Sequence, residues 1–118
     1  MVKRKSELSI TLEPNLKGGN GIVRILNILE QDEMFGLGRL FAISIIPPGA
    51  SIEQHTHDGD FETYYILKGK ARVNDNGKVV ELCPGDMTQC RDGNYHSIEN
   101  IGDVDLEYFA VILYTKEK

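Results

Sequence analysis

The sequence lacks a long apolar run and lacks an excess of positive charge. No stretch approaches the roughly 20 consecutive apolar residues that a membrane-spanning helix requires. The 18 acidic residues outnumber the 13 Lys and Arg residues, giving a net charge of -5. Phosphate binding needs clustered basic residues, and the one such cluster, residues 3–5, is best explained as a solvated tail. Residues 1–10 have no apolar core of the kind a secretory signal needs. We therefore expect a cytoplasmic protein with no membrane or nucleic-acid partner.

Cysteine and histidine are scarce. The chain of 118 residues has two cysteines, Cys83 and Cys90, and three histidines. In a reducing compartment we expect two buried, free thiols rather than a disulfide, and neither cysteine lies at a metal-binding spacing. A chain of this length is large enough for a single core. We therefore expect residues 1–118 to form one domain.

Turn-forming residues recur about every eight to twelve residues, a spacing typical of an all-β sandwich or barrel. The strongest hairpin signal is Asn76-Gly77, because both residues tolerate a positive φ. Pro47-Pro48-Gly49 ends a strand, because proline is excluded from strand interiors. Periodicity alone fits either a strand or a helix at residues 22–29, and the β-branched residues there favour a strand. No other segment has a helical pattern, and there is no repeat. The predicted strands cover residues 22–29, 39–46, 53–57, 61–73 with an interruption near 68–70, 78–82, 87–90, 96–100 and 106–114.

The three histidines and one glutamate predict a metal site. Successive side chains of a strand point to opposite faces, so His55 and His57 share a face. Glu62 follows a tight turn, and the next strand can bring it back beside the pair. A buried carboxylate would cost several kcal/mol unless it were compensated, and His96 must reach the site through the fold. The alternative of unrelated histidines is disfavoured by the spacing. Three imidazoles and a carboxylate suit a divalent Mn, Fe, Ni or Zn ion.

These segments resemble the two conserved motifs of the cupins. The first reads Gly49, five residues, His55-Thr56-His57, four residues, Glu62, six residues, Gly69; the second has Gly85, Gly93, His96 and Asn100 in place. One departure is Arg91, which stands where the second motif usually has proline and leaves the shape and charge of the adjacent pocket wall open. The resemblance covers residues 49–100.

The resemblance implies a double-stranded β-helix, or jelly-roll, barrel. Its core would lie at about residues 37–114, preceded by an N-terminal strand segment at about 8–30. It also implies that His55, His57, Glu62 and His96 bind one metal ion inside the barrel mouth, with the remaining coordination positions left to water or substrate. Exposed apolar strands such as 22–29, together with the habit of small cupins, imply a homodimer formed by strand exchange or sheet packing.

The segments at 38–41, 59–62 and 64–67 further resemble small bacterial cupins of the oxalate-decarboxylase-like group. That resemblance implies a metal-dependent lyase or oxidoreductase, with manganese as one candidate metal, acting on a small carboxylate such as oxalate. The same ligands would also suit a dioxygenase or an isomerase that acts on a sugar acid. A non-catalytic cupin that binds a metal or a small ligand is the third alternative.

Three residues near the predicted ligands are candidates for catalysis or substrate binding. Arg39 could pair bidentately with a carboxylate if it faces inward with its neighbour on the strand, Phe41. Arg91, close to the third histidine, is a second cation. Tyr64 could offer a hydroxyl to the site or could be a barrel-core aromatic residue. Gln54 and Asp60 flank the ligands, and we expect both to be exposed to solvent. No residue can be assigned as a proton donor.

Overall fold

Ten β-strands make up most of residues 1–116, the part of the chain that this computed structural model describes. Three short 3-10 turns lie between or before them, at Lys5–Glu7, Leu16–Gly18 and Gln31–Met34. None of the helices in this part of the chain is long and apolar enough to cross a membrane. The strands are β1 (Ser9–Pro14), β2 (Ile22–Asn27), β3 (Gly38–Ile46), β4 (Ser51–Thr56), β5 (Asp60–Lys68), β6 (Ala71–Asp75), β7 (Lys78–Leu82), β8 (Met87–Cys90), β9 (Tyr95–Asn100) and β10 (Leu106–Tyr114).

The strands form two antiparallel sheets that enclose one core. The six-stranded sheet has the order β1-β2-β3-β10-β5-β8, and the four-stranded sheet has the order β4-β9-β6-β7. Both sheets contribute to one buried cluster: Ile46 and Ile66 come from the first, and Val73 and Ile98 from the second. This arrangement confirms the all-β, jelly-roll barrel that the resemblance implied.

The turns lie where the sequence placed them. Asn76 and Gly77 adopt φ values of 49° and 99° and join β6 to β7 in a two-residue hairpin, as predicted. Gly69, with a φ of 88°, separates β5 from β6, and an added Cβ there would lie 2.8 Å from the carbonyl oxygen of Asp105. The predicted strand at 61–73 is therefore two strands with a break at the predicted place.

The two cysteines have different surroundings. Both are free thiols, as expected. Cys90, on β8, is 1% exposed, and burial raises its pKa to about 11. Cys83 is exposed because it lies in the turn after β7, where its N–H donates to a carboxylate oxygen of Asp86. The expectation of two buried thiols was therefore wrong for Cys83.

The outer face of the six-stranded sheet carries an apolar row from one edge to the other. Residues paired directly across antiparallel strands lie on the same face, and the strand registers connect one apolar residue from each strand. The row consists of Ile10, Leu26, Ile43, Phe109, Tyr65 and Met87. Its two ends are well exposed, with Ile10 at 60% and Met87 at 54%.

Candidate metal centre

A β-bulge in β4 aims His55 into the barrel. Ile52 pairs with Ile98 and His55 pairs with His96, so β4 has one residue more than β9 between these two pairs. Residues three apart on a regular strand point to opposite faces. The extra residue shifts that alternation, and Ile52 and His55 both line the same cavity. β4 ends at Thr56, so His57 lies just beyond the strand rather than inside it as predicted.

Side chains from three parts of the chain converge at one point in the barrel. The Nε2 atom of His96 lies 3.0 Å from Nε2 of His55 and 3.1 Å from Nε2 of His57. The Oε1 atom of Glu62 lies 3.1 Å from Nε2 of His96, 3.2 Å from that of His57 and 3.9 Å from that of His55. One ligand atom from each residue lies within 4.8 Å of all the others. The structure therefore brings together all four predicted ligands.

The spacing and the hydrogen bonds of these side chains fit a metal ion. Ligands held at right angles, at about 2.1 Å from an ion, are separated by about 3.0 Å. Nδ1 of His55 faces the carbonyl oxygen of Glu53 at 2.9 Å, and Nδ1 of His57 faces Oδ1 of Asp60 at 2.7 Å. Both acceptors require a proton on Nδ1, which leaves the Nε2 lone pairs directed at the same point. Lone pairs and a carboxylate that converge in this way repel one another without a cation, so the cluster is able to bind a metal ion.

The charges in the cluster are strongly coupled. Burial alone would raise the pKa of Glu62, but hydrogen bonds with His55, His57 and His96 outweigh burial and hold that pKa well below its usual range. Burial opposes a charge on His57, yet Glu62 and Asp60 raise its pKa. At His96 burial prevails over Glu62 and lowers the pKa. The ionised carboxylate thus requires a positive charge, which either a proton or a metal ion can supply, and the two compete.

Asp60 connects a predicted ligand to a predicted substrate-binding residue. Its side chain is buried, with the residue 5% exposed, so the expectation of solvent exposure was wrong. Oδ1 accepts the Nδ1 proton of His57, and Oδ2 accepts a hydrogen bond from Nε of Arg39 at 2.8 Å. Burial would raise the pKa of Asp60, but these two partners outweigh it and lower it. A carboxylate in this position fixes the tautomer and orientation of a metal-binding histidine. Strand alternation could have predicted this burial, because Asp60 lies two residues before Glu62 on β5 and so shares its face.

Arg39 reaches the cavity through a second bulge. Between the pairs Leu40–Ile112 and Gly38–Leu113, β3 has one residue more than β10, and that residue is Arg39. The sequence made Arg39 a candidate for the cavity on condition that it shared an inward face with Phe41. Phe41 instead contacts Phe109, at 4.9 Å between ring centroids, on the outer face. Arg39 lines the cavity while its side chain remains 46% exposed, so it lies at the rim.

The cavity above the four ligands has a volume of about 220 Å³. His55, His57 and Glu62 lie on its surface together with Arg39. Much of the remaining wall is aliphatic, and its members include Leu40, Ile52 and Ile112. The space therefore has a polar, charged part near the ligands and an apolar wall.

Tyr64 fits both of the roles considered for it. It is 2% exposed and stacks on His96, with ring centroids 5.0 Å apart and planes at 17°. Its hydroxyl lies 3.5 Å from Nε2 of His96. Burial, followed by the charge of Glu62, raises the pKa of Tyr64 well above its usual value. The hydroxyl is therefore neutral and keeps its proton.

Two other residues near the ligands in sequence are not brought to the cavity. Arg91 is exposed and lines open grooves on the outside of the barrel, beside Gln89 and Asn94 in one of them. Gln54 lies in the bulged part of β4 and is exposed, as expected.

Tyr108, which was not among the residues predicted from the sequence, does line the cavity. Strand alternation could have predicted this position, because Tyr108 lies two residues after the buried Leu106 on β10.

Known proteins resemble this chain in sequence and in fold. An oxalate-binding protein from Thermotoga maritima is 44% identical over 96% of this chain and 93% of that protein. The crystal structure of a predicted oxalate decarboxylase from the same organism superimposes with a TM-score of 0.91 at 44% identity, covering 97% of this chain and 99% of that one. A 5-nitrosalicylic acid 1,2-dioxygenase from Bradyrhizobium is 26% identical over 84% of this chain and half of that protein's length.

The family assignment follows from these similarities. The cupin domain family matches residues 42–112, a range that contains all four of the converging side chains, the whole four-stranded sheet and most of β3, β5, β8 and β10 of the six-stranded sheet. The first relative covers nearly the whole chain, so the similarity includes β1 and β2 as well. The chain belongs to the cupin family.

Proposed function

We propose that this cupin binds one divalent metal ion through His55, His57, Glu62 and His96 and uses it to hold a small carboxylate such as oxalate. The observation that carries the proposal is the position of Arg39, a cation at the rim of the same cavity that exposes the ligand atoms. The name of the Thermotoga maritima relative, an oxalate-binding protein, supports the same ligand class.

Each residue has a defined part in this proposal. The four side chains would hold the ion with coordination positions left for an acid, and a bound divalent ion would supply Lewis-acid chemistry toward that carboxylate. Asp60 engages Nε of Arg39, which leaves the other guanidinium N–H groups available for a carboxylate. Tyr64 packs against His96 and keeps that ring in place. The hard carboxylate ligand and the absence of thiolate in the cluster are compatible with Mn, Fe, Ni and Zn, of which manganese is the one we test first.

We propose binding rather than catalysis as the first function because neither of the two tyrosines near the ligands has a pKa suited to proton transfer. A general acid works best when its pKa lies near the operating pH. The hydroxyls of Tyr64 and Tyr108 both have pKa values raised by burial, so they suit hydrogen-bond donation better than proton transfer. The second candidate function is an oxalate decarboxylase-like lyase or oxidoreductase, which the resemblance to the predicted oxalate decarboxylase favours. The Bradyrhizobium relative favours a dioxygenase in the same way.

One experiment separates these functions. Metal-free protein is loaded with Mn²⁺, Fe²⁺, Ni²⁺ or Zn²⁺ in turn, and oxalate binding is measured by calorimetry without oxygen. The same samples are then exposed to air with oxalate, and CO₂, formate and peroxide are followed. We expect saturable oxalate binding that requires the metal and that weakens in Arg39→Ala. Absence of binding with every metal would contradict the proposal, and metal-dependent formation of CO₂ would establish the catalytic alternative.

We also propose that two copies of this chain associate through the outer face of the six-stranded sheet. The row from Ile10 to Met87 places an apolar residue on each of six strands, and large exposed apolar patches mark interaction surfaces. The face is wide enough for a sheet-on-sheet dimer, since six strands spaced by about 4.8 Å span about 24 Å. Light scattering should give about twice the chain mass of 13.2 kDa. Replacing Ile10 and Met87 by Lys should restore the monomer, and a monomeric wild type would contradict the proposal.

A further inference from the structure

Tyr108 buries a hydroxyl group that no other described residue satisfies. The residue is 1% exposed, and its hydroxyl has no hydrogen-bond partner within residues 1–116. Ser44, directly across from it on β3, and Tyr64 lie close enough to lower its pKa as weak hydrogen-bond partners, yet neither makes a hydrogen bond of full geometry with it. Buried polar groups are nearly always paired, and an unpaired one destabilises a fold. The hydroxyl therefore requires a partner that residues 1–116 do not supply at full hydrogen-bonding geometry.

The missing partner can come from the cavity. Tyr108 lines the same space as His55, His57 and Glu62. Its ring packs on Tyr64, with centroids 4.5 Å apart, and Tyr64 in turn stacks on His96. Two aromatic residues thus connect the ligand cluster to the hydroxyl. Tyr108 therefore borders the space that a molecule held at the ligands would occupy.

The protonation state of Tyr108 defines what it can recognise. Burial, followed by the negative charge of Glu62, raises its pKa further above its ordinary value. The side chain is therefore a neutral phenol with one proton to donate. It matches a ligand atom that accepts a hydrogen bond, such as a carboxylate, carbonyl or hydroxyl oxygen, rather than a ligand cation.

We propose that the Tyr108 hydroxyl donates a hydrogen bond to an oxygen of the carboxylate ligand held at the metal centre. Tyr108 would then be a residue that determines specificity, placed deep in the cavity, while Arg39 provides the charge at its rim. The ligands selected are acids that keep an acceptor oxygen free of the metal, and oxalate, the smallest dicarboxylate, is one of them. This inference rests on the proposed function, because it assumes a carboxylate at the metal.

The substitution Tyr108→Phe tests the inference by removing one oxygen atom. Oxalate binding to the Mn²⁺-loaded wild type, Tyr108→Phe and Tyr65→Phe is measured by calorimetry without oxygen, and Mn²⁺ binding is measured separately by chelator competition. Tyr65 is the matched control, since its ring lies on the outer face of the same sheet and is 46% exposed. A hydrogen bond to a charged group corresponds to roughly a tenfold to hundredfold change in affinity. We expect that loss for oxalate in Tyr108→Phe, no loss in Tyr65→Phe and unchanged Mn²⁺ affinity in both.

The outcomes distinguish this inference from the proposed function. If the wild type binds no oxalate, the proposed function fails and the role of Tyr108 fails with it. If the wild type and Tyr108→Phe bind oxalate equally, or if Tyr65→Phe weakens binding as much, the role of Tyr108 alone is refuted. A structural hydrogen bond would instead show as lower stability of metal-free Tyr108→Phe, whereas an unpaired hydroxyl predicts equal or higher stability.

A spectroscopic measurement on the wild type covers the case in which Tyr108→Phe does not fold. Ultraviolet resonance Raman spectra report whether tyrosine hydroxyls donate hydrogen bonds, and the chain has five tyrosines. Addition of oxalate to the Mn²⁺-loaded protein should convert one hydroxyl from unpaired to donating. An unchanged tyrosine signal at saturating oxalate would overturn the inference.

Discussion

The two ends of the barrel interior differ in chemistry although the same strands build both. We call the apolar end the part that contains Ile46, Ile66, Ile98 and Leu106. The metal end is the part that contains His55, His57, Glu62 and His96, together with Tyr108, which lines the same cavity. On β9 the change occurs between Ile98 and His96, and on β5 between Ile66 and Glu62. Within a few residues each strand passes from a packed core to a cluster of charge.

Stability comes from the apolar end, whereas the proposed function belongs to the metal end. Fully burying one large aliphatic side chain contributes about 1.5–3 kcal/mol, and the apolar end is made of such side chains. At the metal end, desolvation of charges can cancel the attraction between them. The two buried side-chain atoms without a hydrogen-bond partner in the described chain, Nδ1 of His96 and the hydroxyl of Tyr108, also lie there. The apolar end therefore stabilises a barrel whose metal end is able to bind an ion.

The largest expected effect is the loss of metal binding on His96→Ala. His96 supplies Nε2 at 3.0–3.1 Å from the ligand atoms of three other residues, so its removal opens the cluster and leaves the charge of Glu62 less compensated. Because even substitution of residues behind metal ligands costs about tenfold to a hundredfold in affinity, loss of a ligand should exceed a hundredfold. Metal content after dialysis against a weak chelator measures this. Wild-type stoichiometry in His96→Ala would refute the four-ligand site.

The reciprocal substitution, Ile98→Ala, lies two residues away on the same face of β9. Ile98 is 1% exposed within the core cluster, so truncation should lower the free energy of unfolding by about 2–5 kcal/mol. Denaturant unfolding of the metal-free protein measures that loss, and metal stoichiometry at low temperature should stay at one. The two ends would prove inseparable if Ile98→Ala lost its metal while still folded, or if His96→Ala destabilised the metal-free barrel as much.

The same two ends explain what could be predicted from the sequence. The barrel, the hairpin at Asn76-Gly77 and the four converging ligands followed from strand alternation, turn residues and the resemblance to cupin motifs. Asp60 was predicted to be exposed because it follows a turn with glycine, but it is the first residue of β5 and lies on the buried face of that strand. The bulge that lets Ile52 and His55 point to the same side could not be predicted. A bulge adds a residue without changing the local pattern of polar and apolar residues.

The arrangement of Arg39 shows the same limit. Its position at the cavity also depends on an extra residue in β3 relative to β10, and alternation with Phe41 would have placed it outside. Bulges are set by the register of the partner strand, which is a tertiary property. Sequence patterns therefore identified the residue types of the metal end better than the geometry that assembles them.

A smaller effect is expected from Asp60→Asn, which alters the metal end without touching a metal ligand. The amide can still accept the Nδ1 proton of His57 through its oxygen, but it loses the charge that pairs with Arg39. Metal affinity should fall by about tenfold to a hundredfold, measured by chelator competition at fixed pH. Asp92→Asn is the matched control, because Asp92 also accepts two hydrogen bonds, from Gly59 and Thr115, on the exposed surface. Equal affinities for Asp60→Asn and wild type would show that Asp60 does not position His57.

The smallest effect is a pH dependence that runs in opposite directions for the metal-free and metal-loaded proteins. The pKa of His57 is raised above its ordinary value of 6.5, because Glu62 and Asp60 together outweigh burial. In the metal-free protein the proton on His57 is therefore stabilising; this contribution is fully present below pH 6.5 and is lost as the pH rises through the raised pKa. A metal ion needs His57 neutral, so metal affinity should rise with pH over the same window, by about tenfold per unit for one displaced proton.

Chelator competition and thermal unfolding between pH 6 and 8.5, with and without metal, measure the two slopes. Asp60→Asn removes one of the groups that raise the pKa of His57, so it should shift both transitions to lower pH, while Asp92→Asn should leave them in place. Metal affinity that does not change across this range would mean that no proton is displaced from His57. Metal binding would then be independent of the protonation of His57. The two ends would in that case differ in packing alone.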